Sequence, residues 1–104
     1  MSGSAPQPVV TLCGSWRFAA EMERLTAELT LAGHVVLAPV AVPREPTPDE
    51  RERLADVHLR RVAMADEVLV VDVGGYLGES TRREVEHARA CGVPVRFLSD
   101  QAPA

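Results

Sequence analysis

Aromatic side chains are scarce in this sequence: one tryptophan, one tyrosine and two phenylalanines. A platform that stacks successive bases of a single strand draws on more of them, which argues against such a role. Positive charge is short as well. Eleven basic residues stand against fifteen acidic ones, a formal charge of −4, so there is no broad basic face for duplex nucleic acid. Long hydrophobic runs are missing too. The apolar stretches are of strand length, well short of the ~20 residues that span a membrane. Only two cysteines occur, Cys13 and Cys91, and they form no C-x-x-C pair. They read as small buried apolar residues of a reduced, cytoplasmic protein. The opening MSGSAPQP has no basic and apolar leader, so nothing points to export. No group of histidine, cysteine and carboxylate has metal-ligand spacing along the chain, and neither a metal nor a cofactor is expected.

What remains is an ordinary globular composition, 46% apolar and 25% charged over 104 residues, enough for one compact domain. The domain is expected over residues 7–100, with flexible tails at 1–6 and 101–104. Val9 to Cys13 is a β-branched run that reads as a buried strand. Phe18, Met22, Leu25 and Leu29 then recur at spacings of four, three and four, one stripe of a helix that Gly33 closes. His34 to Ala38 is a second strand, which completes a βαβ unit. Residues 39–48, PVAVPREPTP, hold four prolines and interrupt any regular element. Thr47, Pro48 and Glu50 combine a cap, a proline at the first helical position and a capping box. The helix they start should run to about Ala65. Asp66 to Asp72 is almost wholly apolar in its middle, as in a strand covered on both faces of a parallel sheet. A last helix to Cys91 and a strand from Pro94 to Leu98 follow. The alternation implies an α/β fold: a Rossmann-like, doubly wound parallel sheet of about four strands with helices on both faces.

In such sheets ligands bind beyond the carboxyl ends of the strands, near the switch in strand order. Two loops sit there. The first, Gly14-Ser15-Trp16-Arg17, offers a close backbone approach, a hydroxyl, helix N–H groups and a guanidinium suited to phosphate. Ser15 can equally serve as a helix cap and Arg17 as a solvated charge. The loop is not the G-x-G-x-x-G fingerprint, so NAD is not indicated. The second loop runs from Asp72 through Gly75, Tyr76 and Gly78 to Ser80 and Thr81, all candidate substrate contacts. It opens the segment Gly78 to Ala88, GESTRREVEHA, with Glu84 as its key carboxylate. Thr81 and Glu84 have capping-box spacing, a structural reason for the glutamate. Helical geometry adds a second reason. Glu84 lies ~40° from Ala88 and ~20° from Cys91, at the edge of the apolar side that these residues define with Val85. His58, near the apolar line of Ala55, Leu59 and Val62, is open to either a packing or a catalytic role.

Taken together these residues resemble the nucleoside 2-deoxyribosyltransferase superfamily, which includes nucleotide N-glycosidases. The resemblance runs from Val9 to Leu98 and rests on Gly14-Ser15-x-Arg17, on Ala65-Asp66, and on Gly78-Glu79-Ser80-Thr81-x-x-Glu84-Val85-Glu86-His87-Ala88. It is closest to a small bacterial and phage-associated branch, in which Trp16 stands where a threonine is usual. The resemblance implies that Glu84 attacks the anomeric carbon of a nucleoside or nucleotide and expels the base, after which water or a second base resolves the intermediate. It also implies a homodimer or larger assembly whose neighbouring subunit completes the pocket. One position departs. The family places an aspartate eight residues before Asp66, and this sequence has His58. A histidine can act as a general acid, or the branch can bind nucleotides without cleaving them, as a sensor or regulatory module.

Overall fold

The computed structural model describes residues 7–100; the expected tails lie outside the described residues. Four strands, β1 (Val9–Cys13), β2 (Val35–Leu37), β3 (Glu67–Val70) and β4 (Val95–Phe97), form one parallel sheet in the order β2-β1-β3-β4. Three helices connect them: α1 (Ala19–Leu31), α2 (Pro48–Met64) and α3 (Glu79–Ala90). The order reverses between β1 and β3, so the chain turns one way to β2 and the other way to β4. Crossovers at that switch leave a crevice at the carboxyl ends of the two central strands.

Side-chain alternation on the central strands separates two cores. Val10 and Leu12 of β1, with Leu69 and Val71, face α1 and meet Met22 and Leu25. Cys13, Val68 and Val70 point the other way and meet Val62 of α2 and Val85 and Ala88 of α3. Burial on both faces is why β3 reads as a continuous apolar run rather than an alternating one. The expected sheet, with helices on both faces, is therefore present.

The element boundaries follow local chemistry. Thr47 accepts from the Glu50 backbone N–H at 3.2 Å, and the Glu50 carboxylate accepts from Thr47 N–H at 2.9 Å. This is the capping box expected from the sequence, with Pro48 opening α2. Gly33 closes the turn after α1 with φ of +101°, a conformation that suits glycine. At the other end of the sheet Asp66 clamps the start of β1, its Oδ2 accepting from Val9 N–H at 2.7 Å. No helix among the described residues is long and apolar enough to cross a membrane.

Three local expectations change. The stretch before α1 is a separate 3-10 turn, Trp16–Phe18, and the helix proper begins only at Ala19. The last helix begins at Glu79 with Gly78 as its cap, so Thr81 lies inside the first turn and its pairing with Glu84 as a capping box does not form. Cys91 is exposed at the end of α3, whereas Cys13 is buried.

Replacing Thr47 with alanine leaves the Glu50 N–H without its cap. The expected cost is about 1 kcal/mol, a fall of roughly 4–8 °C in Tm for a chain of this size. Calorimetry that found the midpoint unchanged would show the cap to be idle.

Candidate active site at the strand switch

β1 and β3 end side by side, with Val71 N–H donating to the Cys13 carbonyl at 2.7 Å. Here space favours Gly14. A Cβ on it would meet the Val71 carbonyl oxygen at 3.0 Å and the Val71 Cβ at 3.2 Å. The loops then part, and between them and the 39–47 segment opens a cleft of about 640 Å³. Ser15 and Trp16 form one side, Tyr76 and Gly78 to Thr81 another, and Pro39 to Val42 with Arg44 to Pro46 a third. His58, Arg61 and Glu84 lie at its base.

Glu84 projects from the second turn of α3, with its side chain 17% exposed. It makes no capping box, and its carboxylate faces the cleft and His58, whose Nε2 lies 3.9 Å away. Burial raises its carboxyl to about 7, although a hydrogen bond from the Cys13 thiol and the nearby Arg83 charge pull the other way. The same burial, reinforced by Glu84, pushes the Cys13 thiol well above its ordinary range. Burial and the Arg61 charge depress His58 to about 4.

His58 Nε2 lies 3.1 Å from the Leu12 carbonyl and 3.6 Å from Cys13 Sγ, while Nδ1 lies 3.4 Å from Arg61 Nη1. A neutral ring satisfies both sides with its proton on Nε2, donating to the carbonyl, and its Nδ1 lone pair accepting from the guanidinium. His58 Nε2 and Glu84 Oε1 are 3.9 Å apart. Between about pH 4 and 7 both groups are uncharged, so this contact is not an ion pair there. A histidine depressed this far is a poor acid at neutral pH, and its place under Glu84 suits positioning better.

The remaining sequence candidates divide. Gly14, Ser15, Tyr76, Gly78, Ser80 and Thr81 line the cleft beside His58 and Glu84. Ser15 also caps the 3-10 turn, accepting from Arg17 N–H at 3.2 Å. Arg17 does not line the cleft. Its guanidinium stacks 3.6 Å above the Tyr76 ring and so ties the two loops together. Asp72 is buried and spent on a tether, accepting from the Ser99 N–H at 2.9 Å and the Ser99 hydroxyl at 2.7 Å. Gly75 sits in a tight turn with φ of +82° and serves geometry. Sequence reasoning overlooked Arg44 and Arg61, which bring positive charge to the cleft, and Cys13, which lies directly beneath it. The phase of Arg61, one turn after His58, was the available signal. Nothing along the chain marked Arg44. No metal-ligand spacing is visible in the sequence, yet folding brings Cys13, His58 and Glu84 together, with one donor atom from each within 4.8 Å of the others.

No protein-family model matches the chain, and no curated protein matches it either. Among solved structures there is a likeness. The fold resembles that of a 2-deoxyribosyltransferase. That protein comes from the psychrotolerant bacterium Bacillus psychrosaccharolyticus and is described as a biocatalyst for the synthesis of antiviral and antitumoral nucleosides. The TM-score is 0.60 at 17% identity, covering 85% of this chain and 69% of the other. At that identity the shared property is the fold.

The two displaced titrations oppose each other. Glu84 holds its proton more tightly in the folded chain, so its stabilising contribution is complete below about pH 4.5 and is lost as pH rises through about 7. His58 holds its proton less tightly, so its contribution is complete above about pH 6.5 and is lost as pH falls through about 4. Each is worth on the order of 2–3 kcal/mol, and the wild-type curve is nearly flat where they overlap. Urea unfolding of Glu84→Gln between pH 4 and 7 should show stability climbing with pH; His58→Gln should show it falling. Parallel curves for all three proteins would refute this assignment.

Proposed function

We propose that the chain cleaves, or transfers, the N-glycosidic bond of a nucleoside or nucleotide, with Glu84 as nucleophile. The observation that carries this reading is a half-buried glutamate, poised near neutrality, at the base of a cleft on the strand switch. The likeness in fold to a nucleoside-processing transferase supports the same class of substrate. Sugar and base are small enough for the cleft, and the hydroxyls of Ser15 and Ser80 offer hydrogen bonds to a sugar or its 5′ substituent. Arg61 suits a phosphate or an electron-rich base, whereas the Arg44 guanidinium is held by Glu50.

In this mechanism an ionised Glu84 oxygen attacks the anomeric carbon as the carbon–nitrogen bond breaks. The bonding pair leaves with the base, which takes a proton from solvent or from a donor of the cleft. Water or a second base then attacks the same carbon and returns the carboxylate. His58 acts as a positioning residue, holding the floor beneath Glu84 through Leu12 and Arg61. The reading retains a homodimer, as the resemblance implies, and a cytoplasmic setting, as the two free cysteines suggest.

A binding-only module is the second reading, favoured by the neutral His58, which lacks the proton that an acid catalyst would deliver. Incubation with a panel of ribo- and deoxynucleosides and their monophosphates separates the two. Cleavage is expected to release free base, with kcat/KM rising through about pH 7 as Glu84 ionises. Glu84→Gln should lose at least ~10³-fold in turnover while retaining ligand affinity. Thermal stabilisation by a ligand that is never cleaved would leave the module reading in place.

A further inference from the structure

Beneath the cleft three metal-ligating side chains converge from three different elements. Cys13 ends β1, His58 lies on α2 and Glu84 on α3. Cys13 Sγ is 3.6 Å from His58 Nε2, and Nε2 is 3.9 Å from Glu84 Oε1. All three donor atoms fall within 4.8 Å of one another. Tetrahedral zinc bonds of about 2.3 Å to sulfur and 2.0–2.2 Å to nitrogen and oxygen place neighbouring donors about 3.3–3.6 Å apart. The sulfur–nitrogen edge already has that length, and the nitrogen–oxygen edge needs only a small closure.

We propose that Cys13, His58 and Glu84 form a three-ligand site for a divalent cation of the zinc class. Donor chemistry selects the class. A thiolate with an imidazole is too soft a set for magnesium or calcium, which take oxygen ligands. Electrostatics favours it as well. A thiolate and a carboxylate buried together repel each other, and a divalent cation between them brings the sum with a neutral imidazole to zero. Cys13 and His58 are buried, but His58 and Glu84 also face the cleft, which supplies the way in and an open fourth position.

Binding releases the thiol proton, and the carboxyl proton where Glu84 carries one. Ligation through Nε2 moves the imidazole proton to Nδ1. The Arg61 guanidinium that now faces Nδ1 must then turn away into the cleft that it already lines. A cation on Glu84 withdraws the electron pair that attack on a sugar needs. The ion and the proposed reaction therefore exclude each other, and the site acts as an inhibitory one.

The test uses the full chain carrying Cys91→Ser. This removes the exposed Cys91 thiol, which lies 3.7 Å from His87 Nε2 and would form a weak competing pair. Titration with Co²⁺ is expected to give one bound equivalent with a thiolate-to-metal charge-transfer band, and stoichiometric Zn²⁺ should abolish that band. Adding Cys13→Ser should eliminate the band while the circular dichroism of the metal-free protein is unchanged. Glu84→Gln, a change at the cleft surface, should weaken Zn²⁺ at least ~10-fold. A folded protein that gives no such band, or a band that survives Cys13→Ser, would overturn the site. Should Cys13→Ser fail to fold, unchanged affinity in Glu84→Gln overturns it equally. Neither readout involves turnover, so the cation site stands or falls separately from the reaction.

Discussion

The pairing of β1 with β3 in the middle of the sheet is the contact on which the rest of the structure depends. It divides the side chains into two cores, one under α1 and one under α2 and α3. It also brings two loop entrances so close that a side chain at position 14 would crowd Val71. Past that point the loops must separate, because each leads to a different crossover. The cleft is therefore a product of strand order, and its polar lining is whatever the loops and helix starts carry to that spot.

Beneath the cleft the protein keeps a thiol, an imidazole and a carboxyl in one small space, a combination that burial makes unstable in charged form. The tension is eased by neutrality, with the proton on the carboxyl and the imidazole uncharged. That state is stable but only just, since Glu84 is poised near 7. A ligand with a positive centre, a developing oxocarbenium or a metal ion, tips the same carboxyl toward ionisation. Catalytic and cation-binding readings thus draw on one physical property, the displaced affinity of Glu84 for its proton.

Much of the fold could be read directly from the chain, because its signals are local. The stripe from Phe18 to Leu29, the Thr47–Glu50 box and the apolar third strand each depend on neighbours in sequence. At the site, Glu84 was legible twice, from its angle on the helix and from the resemblance. Its supposed capping partner was misplaced because Gly78, which caps without a side chain, starts the helix a turn earlier. Arg17 looked like a phosphate ligand until the fold laid Tyr76 beneath it. Asp72 looked available until Ser99, far along the chain, took both its oxygens. Cys13 looked like filler because nothing in the sequence says that a strand end will meet two helices under a cleft. In each case the deciding partner is supplied by tertiary structure.

One wall of the cleft is held in a different way from the others. The proline-rich segment 39–47 has little core of its own and is fastened to α2 by charge. Arg44 makes a two-pronged bridge to Glu50 at 2.7 Å on each side, and Arg51 pairs with Glu45. These bridges lie at the surface, where dissolved salt weakens them over distances of about 8–10 Å. Ionic strength thus bears on how firmly this wall is held. An uncharged occupant of the cleft would meet the effect too, through the wall beside it and not through any charge of its own.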